Sequence, residues 1–336
     1  MAAAAHHDAV LRRADGHGAP PHQGLLCRRA AGKNVAFSPV SIDASGGGLN
    51  KAFQDVAAKS YKSEARTVSF TKKPEEAVEM INCWVKKATN GLVECIFSPA
   101  DTDLVLANAV YFKGKWLNPF ESHNTRADKF HRLDGSHVEA DFLWEFHSMY
   151  VSYMDGFKVL KLPYRKGHCS SDDDTMSTRS SMFVFLPDNR DGMATMVDVI
   201  TAAPAYLYSL LPTETKPVRL KLPKFEISFN WDDFSGDLCR LGLSLPFLPK
   251  VADLRGMFAK NDGRPTFLSK VAHKAVVKVN EEGTEAAAVY GALLGGGGPP
   301  PDTVEFVADH PFTFLIMEEI SGVIVFAGHV IDPTRK

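Results

Sequence analysis

The most informative segment of the sequence passes from charged residues, by way of one glycine, to a run of small residues. It follows a predicted strand at 274–279 and consists of Glu281, Glu282, Gly283, Thr284, Glu285, Ala286, Ala287 and Ala288. Glycine permits a sharp bend at this point. In an extended chain alternate side chains face the same way, so Thr284, Ala286 and Ala288 would form one small face.

Sequence motifs for covalent catalysis or metal binding do not occur in the chain. It contains no Gly-x-Ser-x-Gly, no Gly-x-x-x-x-Gly-Lys and no His-Glu-x-x-His pattern. The glycines at 295–298 run into proline and not into a helix N-terminus, which argues against a phosphate site. Cys83 and Cys95 are spaced too widely for a zinc knuckle. The sequence therefore predicts a protein that is not an enzyme and needs no metal or cofactor.

Composition limits the cellular compartments and the classes of partner that are expected for this chain. The chain has 336 residues, 45% of them hydrophobic, which is enough for a sizeable core. A net charge of −2 gives no general attraction to nucleic acid, and no apolar run approaches the ~18 residues of a membrane span. Five scattered cysteines and a start without a signal-like apolar stretch favour free thiols in the cytoplasm. A monomer is expected. Residues 1–33, rich in histidine, glycine and proline, predict a disordered tail in preference to a metal site.

Hydrophobic periodicity predicts helices mainly early and strands mainly late. The clearest helix is expected at 73–91, with Pro74 in its first turn, and a weaker helix is expected at 49–62. Strands are expected at 104–112, 157–162, 182–186, 219–229, 312–317 and 322–329. This distribution predicts an α+β fold with antiparallel or mixed sheets.

The same segments, in this order, resemble the serpins, a family named for serine-protease inhibition. Residues 281–288 and 306–312 resemble the proximal hinge and the distal anchor of the family's reactive-centre loop. Further similar segments are 34–42, 106–116, 182–188, 220–227, 269–275 and 326–333, and the C-terminal part is most similar to plant serpins. The resemblance covers most of 34–336. It implies a single serpin-like domain with a large mixed sheet, further sheets and an exposed loop, and it places 34–42 beneath the main sheet.

The resemblance also assigns roles to individual residues. In this family a protease cuts the exposed loop, which then inserts into the main sheet and distorts the attached protease. The implied reactive bond lies near Gly297 and Gly298, with 293–294 or 290–291 as rival positions. A polar cluster where two central strands part would consist of Ser38, Ser41, Asn108 and His273. From the residues alone, without the resemblance, His273 is better explained as a histidine of the core than as a member of a functional cluster. The implied partner is a serine or cysteine endopeptidase, and secretion is the family's alternative to the cytoplasm.

Two departures from the family pattern shape the predicted function. The loop carries bulky Tyr290, four glycines at 295–298 and three prolines at 299–301, which is an unusual bait. Only residues 43–48 lie between the segment at 34–42 and the helix expected at 49–62, which resembles a helix further along the family's sequence. Several N-terminal helices and one strand of the main sheet are therefore predicted to be missing. We therefore expect a non-inhibitory member of this scaffold. The alternative is a working suicide inhibitor, which the hinge favours.

Overall fold

A computed structural model describes residues 40–43, 48–61, 65–68, 73–88, 91, 104–112, 114–165, 179–231, 233–259, 267–268, 270–283 and 302–335. Within these ranges the helices are α1 (Lys51–Tyr61), α2 (Pro74–Ala88), α3 (Met193–Ile200), α4 (Pro204–Ser209) and α5 (Phe234–Arg240). The strands are β1 (Val40–Asp43), β2 (Ala65–Val68), β3 (Leu104–Phe112), β4 (Arg126–His131), β5 (His137–Met154), β6 (Phe157–Pro163), β7 (Ser180–Pro187), β8 (Thr215–Pro223), β9 (Phe225–Trp231), β10 (Lys270–Val279), β11 (Val304–Val307), β12 (Phe312–Glu318) and β13 (Val323–Val330).

These elements fall into two compact units. Of the described residues, one unit takes those within 34–111 and 228–277, and the other takes those within 112–227 and 278–336. A five-stranded sheet belongs mainly to the first unit and an eight-stranded sheet to the second. The α+β class predicted from the sequence is confirmed. The predicted single domain stays a prediction, and the predicted tail at 1–33 lies outside the described residues.

The five-stranded sheet has the order β2-β1-β3-β10-β9. β1 runs parallel to β2, and the chain crosses between them through α1, as a parallel pair requires. On its other side β1 is antiparallel to β3, but only Val40–Ile42 pair, with Leu106–Leu104. β3 and β10 are direct neighbours, with no strand between them. The sheet is therefore mixed, and its two longest strands lie side by side.

The eight-stranded sheet has the order β11-β8-β5-β6-β7-β12-β13, with β4 paired to β5. The 18 residues of β5 allow it to pair in turn with β4, β8 and β6. Helix α3 covers β6, β7 and β12 with a buried stripe that includes Met193, Met196 and Ile200. Because apolar burial of this kind dominates folding free energy, this layer gives the second unit its core.

Most predicted elements are confirmed, including α2, which begins at Pro74 and ends in a lysine-rich turn. The single strand predicted at 219–229 is wrong. Pro223 and Phe225 end β8 and begin β9, and the two strands belong to different sheets. Residues 40–42 lie within the main sheet as part of β1 and not beneath it, as the resemblance had placed them. The predicted absence of N-terminal helices concerns segments outside the described ranges. No helix in the described part of the chain is long and apolar enough to cross a membrane.

Candidate functional site

The chain leaves β10 through a tight turn, Asn280–Gly283. The Gly283 amide lies 3.4 Å from the Asn280 carbonyl oxygen, and Asn280 Oδ1 accepts a hydrogen bond from the Glu282 amide at 3.2 Å. Asparagine at the first position and glycine at the fourth are typical of such turns. Gly283 has φ +100°, a conformation that favours glycine. The bend that the sequence predicts at Gly283 is therefore present, and the chain reverses direction directly after the strand.

Glycine is also required at this position because of a close backbone approach. Gly283 forms an antiparallel bridge with Lys115. A Cβ atom on Gly283 would overlap the Gly114 carbonyl oxygen and would lie 2.7 Å from the Trp116 amide nitrogen. Both the conformation and the available space therefore exclude larger side chains.

The segment after β3 satisfies the backbone carbonyls of this turn. The Trp116 amide donates to the Glu282 carbonyl at 3.1 Å, and the Phe120 amide donates to the Glu281 carbonyl at 2.7 Å. The Trp116 indole Nε1 donates to the Asn280 carbonyl at 2.9 Å. Trp116 is buried and stacks on Tyr164, with ring centroids 4.4 Å apart. A rigid aromatic pair thus positions the donors that hold the turn.

The Glu281 side chain adds a charged contact. Its Oε1 accepts hydrogen bonds from Thr125 Oγ1 at 2.7 Å and from Lys224 Nζ at 3.0 Å. Burial on its own would raise the pKa of Glu281, but the hydrogen bonds from Thr125 and Lys224 outweigh it and lower the pKa. The carboxylate is therefore ionised at neutral pH. We call the turn Asn280–Gly283 together with Lys115, Trp116, Phe120, Thr125 and Lys224 the proximal anchor.

A second anchor holds the chain where it returns after β11. The Ala308 amide donates to the Lys221 carbonyl at 2.8 Å, and the His131 amide donates to the Asp309 carbonyl at 2.7 Å. The buried ring of His310 lies between the Asp309 carboxylate and the Pro187 carbonyl. We call residues 308–311 with these partners the distal anchor. The two anchors hold the ends of 284–301, the segment in which the sequence placed the bait.

The structure brings together only part of the predicted site. Glu281, Glu282 and Gly283 form the turn described above. The other predicted hinge residues (Thr284, Glu285, Ala286, Ala287 and Ala288), the predicted reactive bond at Gly297 and Gly298, and Ser38 lie outside the described residues.

Three members of the predicted polar cluster lie on adjacent strands of the five-stranded sheet. Ser41 is in β1, Asn108 in β3 and His273 in β10. The His273 ring packs near Trp231 and Phe234, with centroids 6.1 and 5.4 Å away. Burial lowers the pKa of His273, which favours the neutral ring that the cluster would need. The role of the cluster stays a prediction.

Sequence reasoning did not find the partners of the turn at Asn280–Gly283. Trp116 and Lys224 lie within segments that carried the resemblance, but nothing in the sequence joined them to this turn. Thr125 lies in no predicted element. The turn itself had a readable signal, because Asn280 and Gly283 flank two polar residues at the end of a predicted strand.

Comparisons with known proteins agree with this architecture. Residues 43–333 match the family model described as Serpin (serine protease inhibitor). The chain is 44% identical over 324 residues to putative serpin-Z5 of Oryza sativa subsp. japonica, covering 91% of this chain and 72% of that protein. It is 41% identical over 311 residues to serpin-Z4 of Hordeum vulgare, covering 90% and 75%. The structure of Arabidopsis AtSerpin1 in its native stressed conformation superposes with a TM-score of 0.78 at 33% identity, covering 98% and 91%.

Proposed function

Because this chain belongs to the serpin family, we propose that it offers residues 284–301 to a serine or cysteine endopeptidase and is cut without trapping it. The scaffold is that of the serine protease inhibitor family, and we propose no catalytic role for its residues. In this proposal the chain is a non-inhibitory member that acts as a substrate or by binding. The composition of the loop, with glycines at 295–298 and the bulky Tyr290, is the observation that favours this function.

Inhibition of the serpin type would require β3 to part from β10, its direct neighbour, and to accept the loop as a new strand between them. Each residue of such a strand must satisfy its backbone hydrogen bonds inside the sheet. The composition of the loop therefore decides whether the sheet can accept it.

The loop composition supports the same proposal. Gly297 and Gly298 give a protease no side chain to bind, and the glycine run is a weak strand former. The prolines at 299–301 impose a stiff extended segment on the leaving side. A loop with these properties is suited to be cut more readily than it is inserted.

A mixing experiment tests the proposal. The purified chain is incubated with elastase-, trypsin- and subtilisin-type proteases and analysed on a denaturing gel, with the Arabidopsis relative in parallel. We expect loop cleavage without a detergent-resistant adduct, and a melting temperature that does not rise by tens of degrees after cleavage. An adduct band with stoichiometric loss of protease activity would overturn the proposal.

Suicide inhibition is the second candidate, and the proximal anchor favours it. The antiparallel Lys115–Gly283 bridge is the first rung of a ladder that a descending loop strand would continue along β3. If that register continued after insertion, Ala286 would lie opposite Phe112, and eight residues later Leu294 would reach the level of Leu104, where β3 begins. The glycine run starts directly after Leu294, so the insertable segment matches the nine residues of β3.

The register also identifies the main obstacle to insertion. Tyr290 would lie opposite Asn108 and would share the face of the small residues Ala286 and Ala288. A tyrosine at that level is bulky, and its hydroxyl needs a buried partner. We expect Tyr290→Ala to increase adduct formation if suicide inhibition is the function, and Leu293→Ala, on the opposite face, to serve as the matched control. If neither variant forms an adduct, the substrate role stands.

The setting of this function is proposed from the sequence. We propose a cytoplasmic location, because the five cysteines are odd in number and scattered along the chain. We also propose that the protein is a monomer. Cys83 and Cys239 are free thiols in the structure. Fractionation of the native tissue, followed by detection of the protein in the extracellular fluid, would contradict this assignment.

A further inference from the structure

The hairpin that joins β4 to β5 ends in two histidines that face each other. His131 and His137 are the last directly opposed pair of the two strands. At the next position toward the turn, the Arg132 amide donates a hydrogen bond to the Ser136 carbonyl at 2.8 Å. Hydrogen-bonded and non-hydrogen-bonded pairs alternate along an antiparallel ladder, so His131 and His137 form a non-hydrogen-bonded pair, in which side chains lie closest. The ladder therefore holds two imidazole rings side by side on one face of the hairpin.

The spacing of the two rings fits one metal ion between them. Their centroids are 6.4 Å apart and their planes are tilted by 54°. With metal–nitrogen bonds of about 2.0–2.1 Å in a tetrahedral arrangement, the centroids of two bound imidazoles lie about 5 Å apart. His137 is exposed, so a rotation of its side chain can supply the remaining distance of about 1 Å. Imidazole nitrogens are ligands that zinc and related divalent transition metals favour.

The charges around the two rings allow a cation to bind. Three cationic side chains near the rings are each matched by a carboxylate: Lys129 by the directly opposed Glu139, Arg132 by Asp332, and Arg190 by Asp309. Arg132 Nη2 lies 2.7 Å from Asp332, which directs its charge away from the rings. The Arg190 side chain is 61% exposed and can turn toward solvent. A divalent ion between the rings therefore meets little net repulsion from these neighbours.

We propose that His131 and His137 bind one zinc ion, or a similar divalent transition-metal ion, between their rings. The described residues contain no group of three or more metal-ligating side chains, so water completes the coordination and the ion exchanges readily. The His131 amide also donates to the Asp309 carbonyl at 2.7 Å in the distal anchor. A bound ion thus stabilises the hairpin on which the distal anchor rests. This site goes beyond the proposed function and does not depend on it.

Ring-nitrogen spectra of the full chain, labelled with ¹⁵N-histidine and titrated with zinc at pH 7.5, test the site. The readout must be residue-specific, because the chain has 12 histidines and five cysteines. His131→Gln and His137→Gln identify the two signals by their loss. In the natural sequence we expect both signals to shift together with one midpoint. In His137→Gln the zinc midpoint of the His131 signal should rise by roughly 100-fold, because the second ligand no longer adds to the first.

His123→Gln is the matched control, because the His123 side chain is 74% exposed and lies before β4, outside the hairpin. This variant should leave the zinc midpoint of the pair unchanged. An unchanged His131 midpoint in His137→Gln would show that the two rings do not share an ion and would overturn the proposal. Signals of His131 and His137 that stay in place while other histidine signals shift would also overturn it.

Hydrogen exchange at the Arg132 amide gives a second readout. At a free zinc concentration ten times the midpoint, openings that separate the two rings should become about tenfold rarer. Removal of the zinc with a chelator should restore the original exchange rate, and His137→Gln should show no slowing. Slowing of equal size in His137→Gln would assign the effect to zinc bound elsewhere on the chain and would contradict the shared site.

Discussion

The two ends of the loop are held by different physical means. The proximal anchor is a turn whose backbone carbonyls are satisfied by Trp116 and Phe120, and its shape depends on a glycine at φ +100°. The distal anchor depends on the contact between the Asp309 carboxylate and the buried ring of His310, next to a strand ladder. One end is therefore fixed by backbone shape and the other by charge.

The largest effect is expected from a substitution in the proximal anchor, which depends on backbone shape. Gly283→Ala places a methyl group against the Gly114 carbonyl and forces an unfavourable φ. We expect the free energy of unfolding to fall by about 3 kcal/mol, since backbone strain and overlap add. Urea denaturation measures it. Gly156→Ala is the matched control, because Gly156 has φ +83° with no atom within 4 Å of the added carbon. Equal losses in the two variants would show that the close approach costs nothing and that the anchor is not fixed by shape.

The next largest effect is expected from a substitution in the distal anchor, which depends on the Asp309 carboxylate. Asp309→Asn leaves the buried His310 ring without its carboxylate, and we expect a loss of about 2 kcal/mol in unfolding free energy. Asp188→Asn is the control, because this carboxylate is 45% exposed and lies 3.8 Å from Lys158, where little change is expected. A loss at Asp309 no larger than at Asp188 would mean that charge does not hold the distal end.

A smaller effect comes from the charged contact of the proximal anchor. Glu281→Gln keeps the shape of the side chain but weakens its contacts with Thr125 and Lys224. We expect the free energy of unfolding to fall by about 1 kcal/mol. The pKa of Glu281 is lowered in the folded state. The stability that Glu281 contributes is therefore fully present above pH 4.5, its ordinary pKa, and is lost as the pH falls through its lower pKa in the folded state.

Denaturation at pH 7 and at pH 3 measures this contribution of Glu281. The stability difference between the natural chain and Glu281→Gln should shrink at the lower pH. A difference that stays constant between the two pH values would show that the Glu281 charge does not contribute.

The comparison also shows what the sequence can and cannot predict. The turn at Gly283 was predictable because its conformation is set locally, by a glycine after a predicted strand. The partners of Glu281 were not, because Lys224 and Thr125 are brought to it only by the tertiary fold. The strand predicted at 219–229 failed for the same reason: periodicity continues through Lys224, whereas the chain passes there from one sheet to another.

The position of β1 was also beyond local reasoning. Residues 40–43 have a strand-like composition, but which sheet receives them depends on the available edges. Between β2 and β3 they complete a parallel pair through α1 and an antiparallel pair with β3. The length of the helix that connects β1 and β2 fits a crossover, but a crossover cannot be inferred until both strands are known. Elements were thus predictable from pattern, and their neighbours were not.

The smallest expected effect sharpens the account of the distal end. Arg190 lies 3.9 Å from Asp309 and is 61% exposed, so solvent screens the pair. We expect Arg190→Gln to change unfolding stability by less than about 0.5 kcal/mol. The same change removes a cation close to His131, so the pKa of His131 should rise in the variant, because Arg190 lowers it. Titration of the His131 ring resonance measures this shift alongside denaturation. A large stability loss without a shift in that titration would mean that Arg190 holds the anchor by packing, and the distal end would then not depend on the Asp309–His310 contact alone.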